Sequence, residues 1–125
     1  MHWPLVTCLS VFLLTACRPR LENQLEGEWL SGCSIDICTV TALNGDHTFS
    51  QRFDQKDLAD PFLSGTWRVE SDQLVLHVTW QIESENIQSV VGRDLRYIIS
   101  ALQHDSLVAT FVETKNDPVH WRRLH

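Results

Sequence analysis

Between Gln73 and Trp80 the chain alternates strictly, with Leu74, Leu76, Val78 and Trp80 on one parity and Val75, His77 and Thr79 on the other. A strand with one face on a core requires this period of two, whereas a helix with 3.6 residues per turn would scatter these positions around its circumference. Gly65 to Glu70 supplies a partner strand, joined through Ser71-Asp72, so this region is predicted to be a hairpin. Similar segments recur along the chain. Ile37 to Leu43 and His47 to Phe53 flank Asn44-Gly45, two residues that both tolerate the positive φ of a tight hairpin turn. Asp94 to Leu102 places Leu95, Tyr97, Ile99 and Ala101 on one face; Ser106 to Glu113 and Val119 to Leu124 follow after turns at His104-Asp105 and Lys115 to Pro118. Gln81 to Asn86 is polar, and Ile87 to Val91 is expected to add a short, weak strand. With no long helical pattern, the prediction is an all-β, antiparallel up-and-down barrel of about eight strands, because closure removes the exposed edges of an open meander.

A pentapeptide pattern occurs twice, as Leu25-Glu26-Gly27-Glu28-Trp29 and Leu63-Ser64-Gly65-Thr66-Trp67. A strand glycine marks a kink or a close approach by another group, and an indole two residues later points to the same face. Two copies of five residues fall short of a repeat architecture. They are expected to be one structural device used at two places in one sheet.

The amino-terminal run Leu5 to Ala16 is long enough for a signal-peptide core and well short of the roughly 20 residues that span a bilayer. It ends in Leu14-Thr15-Ala16-Cys17, which resembles the lipobox of bacterial lipoproteins. The resemblance implies cleavage before Cys17, acyl chains on its sulfur and anchorage in a lipid bilayer. The expected organisation is a signal peptide over 1–16, a lipidated cysteine with a tether over 17–26 and a barrel domain over 27–125. Extended, the tether would reach roughly 30 Å. Arg18 and Arg20 would meet anionic headgroups, each gaining about 1 kcal/mol. In the sorting rule of enteric bacteria, Asp after the cysteine retains a lipoprotein at the inner membrane. Arg18 in that place favours the outer membrane, facing the periplasm.

Ten basic and sixteen acidic side chains give a net charge of −6. An acidic chain without a basic stripe argues against nucleic acid as a partner. Of the four cysteines, Cys8 leaves with the signal and Cys17 is the anchor, so Cys33 and Cys38 remain. In an oxidising compartment such a pair is expected to form a disulfide across a hairpin base, contributing about 2 kcal/mol. The alternative is a metal site, for which no second Cys or His pair follows at a matching interval.

Gly27-x-Trp29 on the first strand, the Gly65-Thr66-Trp67 repeat, and Trp121-Arg122-Arg123 on the last strand resemble the lipocalin-like, or calycin, group, over a layout running from Leu25 to about Arg123. The resemblance implies that Trp29 packs under Arg122 or Arg123 and closes one mouth of the barrel, a cation–π contact of about 0.5–2 kcal/mol. The chain lacks the C-terminal helix of full-length lipocalins and is closer to compact bacterial lipocalin-like domains, whose fold implies no single ligand. The lipoprotein inhibitors of C-type lysozymes are a second comparison, although their Ser-Gly and Tyr-containing loop pattern is missing.

A barrel of this size is either filled by side chains or holds one small ligand. Phe49, Phe53, Trp67, Trp80, Tyr97 and Phe111 are the candidates to line a pocket, with His77 or Arg68 near its rim; the alternative is that these aromatics fill the core. The histidines fall on separate elements, and Asp54, Asp57 and Asp60 lack EF-hand spacing, so no metal or cofactor is expected. The sequence has no G-x-S-x-G elbow and no partnered cysteine, and Glu83-x-Glu85 lies in a polar turn. A non-enzymatic envelope module is the resulting expectation, binding a small apolar ligand or an envelope protein. The alternative is a periplasmic inhibitor, immunity or scaffold protein with a filled barrel.

Overall fold

Eight strands pair antiparallel in chain order, and the last pairs with the first to close a barrel: β1 (Gly27–Cys33), β2 (Cys38–Leu43), β3 (Thr48–Phe53), β4 (Leu63–Glu70), β5 (Gln73–Gln81), β6 (Asp94–Leu102), β7 (Ser106–Phe111) and β8 (Val119–Arg123). This computed structural model describes residues 21–58, 60–114 and 117–124; the apolar run, the lipobox and Cys17 lie outside them. The closing seam between β1 and β8 is short, with Trp29 opposite Arg123 and Leu30 opposite Arg122.

Up-and-down order sorts the connections between two ends. The turns at 44–47, 71–72 and 103–105 share one end with residues 21–26, which enter β1 there; we call it the closed end. Connections 34–37, 54–62, 82–93 and 112–118 share the other, the loop end. One contiguous core runs through the interior, including Leu25, Trp29, Leu43, Phe49, Leu63, Trp67, Leu74, Leu76, Val78, Leu107 and Trp121. Each such side chain, withdrawn from water, contributes about 1.5–3 kcal/mol.

Four local expectations are corrected. Residues 21–25 of the expected tether form one helical turn, with Leu25 completely buried in the core and Leu21 packed against it. Ile87 to Val91 is not a strand; the Val90 N–H bonds the Gln81 side chain at 2.7 Å instead of a ladder partner. At the β2–β3 turn, positive φ falls on His47 (68°) rather than on Asn44 or Gly45, because the Asn44 carbonyl accepts from the His47 N–H and the loop closes with a left-handed residue just before β3.

The fourth correction concerns Trp80. Between Ser64 and Gly65 the β4–β5 register shifts: Gly65 faces Val78 but Ser64 faces Trp80. The extra residue on β5 inverts the parity of the strand end, so Val78 points in and Trp80, 48% exposed, points out. Gly65 permits the bulge, since a Cβ there would collide with the His77 carbonyl oxygen.

Candidate binding surface at the loop end

The closed end is sealed from its own residues upward. Trp29 donates its indole N–H to the Leu25 carbonyl at 2.9 Å, which holds the helical turn over the core. Arg123 lies over the Trp29 ring at 4.2 Å. Its guanidinium donates to the carbonyls of Gln24, Glu26 and His104, each at 2.6 Å. It is therefore Arg123 that caps Trp29, while Arg122, one residue away on the opposite parity, is exposed. Gly27, at φ 132°, leaves the space this guanidinium occupies; a Cβ would collide with Arg123 Nη1. The second pentapeptide repeats the device. Trp67 is buried and donates to the Asn44 carbonyl at 2.8 Å. His47 packs on its ring at 5.1 Å and meets Glu22 of the helical turn at 2.8 Å.

Inside, polar groups satisfy one another. Ser31 and Thr41 share a hydrogen bond of 2.7 Å, and Gln51 donates to the Thr41 hydroxyl at 3.1 Å. Burial pushes the Tyr97 phenol above its ordinary value, partly offset by a hydrogen bond with Gln51. No buried side-chain nitrogen or oxygen among the described residues lacks a partner. The aromatics expected to line a pocket are spread through this interior. Phe49 and Trp67 belong to the core. Phe53 stacks on Phe62 at 4.6 Å beneath the loop end, and Tyr97 packs between Phe111 at 5.2 Å and Trp121 at 5.4 Å. Trp80 is on the outer wall.

That wall is electrostatically closed too. Arg68 bonds Glu70 at 2.6 Å and Asp94 at 3.0 Å, His77 bonds Asp94 at 2.8 Å, and Arg96 bonds Glu70 at 2.8 Å. The hydrogen bonds from His77 and then Arg68 hold the Asp94 carboxyl below the usual carboxylate range, and those from Arg96 and Arg68 do the same for Glu70. Arg68 and His77, expected near a pocket rim, are thus members of a lattice along β4, β5 and β6.

The loop end differs. Cys33 and Cys38, directly opposite in the β1–β2 ladder, form the expected disulfide, Cα to Cα 4.0 Å. The turn it closes carries Ile35, which is 98% exposed. Leu58, Ile82, Ile87 (61% exposed) and Val91 are also uncovered on the neighbouring connections, and Trp80 flanks them. The loops touch: Gln55 donates to the Asp36 carbonyl at 3.4 Å, and the Ile82 N–H donates to the Phe62 carbonyl at 2.9 Å. A hollow of about 520 Å³ lies in the β5–β6 connection, lined by Gln81, Ile82, Glu83, Glu85, Ile87 and others. Two further hollows, of about 350 and 190 Å³, flank the helical turn at the closed end. Asp36, Asp54, Asp57, Asp60, Glu83 and Glu85 stand on these same three loops with Lys56 and Arg93. Among the described residues, none of the six carboxylates forms an ion pair, whereas Arg93 is paired with Glu113. No group of three or more His, Cys, Asp or Glu side chains among the described residues is placed to hold a metal ion.

The sequence reading missed this surface, although one signal was present: Ile35, Ile82 and Ile87 are large aliphatics inside otherwise polar connections. No protein-family model matches the chain, and no curated protein sequence is detectably similar to it.

Proposed function

We propose that this protein is a lipid-anchored recognition module of the bacterial cell envelope, which holds its barrel by the closed end and offers the loop end to a protein partner. One observation carries the reading: large apolar side chains gather uncovered on three adjoining loops, over an interior packed with side chains. Monomeric surfaces seldom keep such a collection unless something covers it. The lipobox supports the anchor, and the docked helical turn supports the orientation. Leu21 is tied to the closed end, so only residues 18–20 separate it from Cys17. That is roughly 10 Å of extended chain, and it would place the closed end at the headgroups and the loops away from them.

Photocrosslinking residues placed at Leu58 and Ile87 of the full-length lipoprotein, in the cell that makes it, are expected to yield a discrete protein adduct. The same residue at Ser100 on the side wall is expected to yield none. Equal or absent adducts at all positions would defeat the reading. A second reading, capture of a small apolar molecule, is favoured by the partly exposed Phe53–Phe62 pair at the loop end. Native mass spectrometry of the detergent-solubilised lipoprotein decides it by showing, or not showing, a retained apolar mass.

A further inference from the structure

We propose that the hollow in the β5–β6 connection receives a lysine or arginine side chain from a protein partner with a net positive docking face. The inference deepens the protein-partner reading above and rests on it. The hollow's wall interleaves two chemistries, Ile82 and Ile87 with Glu83 and Glu85. A basic side chain fits both, because its aliphatic stem packs against apolar surface while its charged head seeks a carboxylate. Neither glutamate has an ion-pair partner among the described residues, so none of the described cations competes for them.

The surroundings extend the match beyond one side chain. Asp54, Asp57 and Asp60 lie on the neighbouring loop and Asp36 on the next, in the company of Leu58 and Ile35. Against these carboxylates the same loops carry Lys56 and the Glu113-paired Arg93, so the charge around the apolar patch is predominantly negative; it selects a partner of the other sign, and speeds its arrival. The same charge disfavours the rival occupants. A second copy docking through this face would form an isologous contact and set these carboxylates against themselves. Nucleic acid and anionic lipid would be repelled.

The test places the photocrosslinker at Ile87 in the full-length lipoprotein and identifies the adduct, with and without the pair Glu83→Gln and Glu85→Gln. Those two side chains form no ion pair among the described residues, so the thermal melt of the double variant should match the parent. Capture of a basic protein, with adduct yield falling on the order of tenfold in the double variant and falling likewise at high salt, is the expected result. A neutral or acidic protein, a second copy of this chain, or a basic protein captured equally well by the variant would overturn the inference while leaving loop-end recognition standing. No adduct at Ile87 or Leu58 would remove both.

Discussion

The two ends of this barrel are built from similar residue types put to opposite use. At the closed end a tryptophan is completely buried, its N–H satisfied by the Leu25 carbonyl and its ring covered by Arg123. At the loop end Trp80 stands half in water, and Asp36, Asp54, Asp57, Asp60, Glu83 and Glu85 have no ion pair among the described residues. Buried and part-buried hydrogen bonds tie the closed end together, whereas loop-end bonds such as Gln55 to Asp36 and Arg93 to Glu113 are exposed. Side chains left out of such internal contacts have their interactions free for another molecule, and the proposal of an anchor at one end and recognition at the other builds on that contrast.

The sharpest way to break the contrast is to truncate both indoles. Trp29→Ala is expected to cost about 3–5 kcal/mol in chemical denaturation, through lost burial and the cavity left behind. Trp80→Ala should cost no more than about 1 kcal/mol. Similar costs would mean that Trp80 is a core residue and that the loop end is structural.

A smaller effect is expected at the disulfide. Replacing Cys33 and Cys38 together by serine should destabilise the domain by about 2 kcal/mol, the chain entropy of so short a closed loop. The circular-dichroism spectrum should remain that of a β-sheet protein, because the β1–β2 ladder continues to Gly27 opposite Leu43 without it. Loss of the fold would show that the loop end is as indispensable to the architecture as the closed end.

The smallest effect tests whether water reaches the interior beneath the loops. Tyr97 is the single tyrosine, so ultraviolet titration reads it alone. Its midpoint should lie above the ordinary value of 10.0, since burial disfavours the phenolate. With the folded value raised, the stability this phenol contributes is fully present below pH 10.0 and is lost as pH rises through the folded midpoint. An unshifted midpoint would place a wet cavity behind Phe111 and favour small-molecule capture.

Much of the fold was legible because strand period and turn chemistry are local. The alternation of residues 74–78 gave the parity of β5, and the two Leu-x-Gly-x-Trp segments announced close approaches that Gly27 and Gly65 do accommodate. Two features were hidden for the same reason. A bulge is an event between strands, so the sequence of β5 alone carried the alternation through to Trp80 and put it inside. The helical turn at 21–25 is likewise stabilised by what Leu25 touches, and its own residues, Leu-Glu-Asn-Gln-Leu, look like polar linker. The loop-end surface was harder still. Isoleucines in a connection look like weak strand until it is known that no strand pairs with them.

Arg123 reaches back 97 residues to the Glu26 carbonyl and 99 to that of Gln24. Neither the cap on Trp29 nor the seam between β1 and β8 can form before this side chain has been synthesised. A nascent chain therefore lacks the means to close its barrel until Arg122 and Arg123 are available, so closure is the step that joins the two most distant strands of the fold.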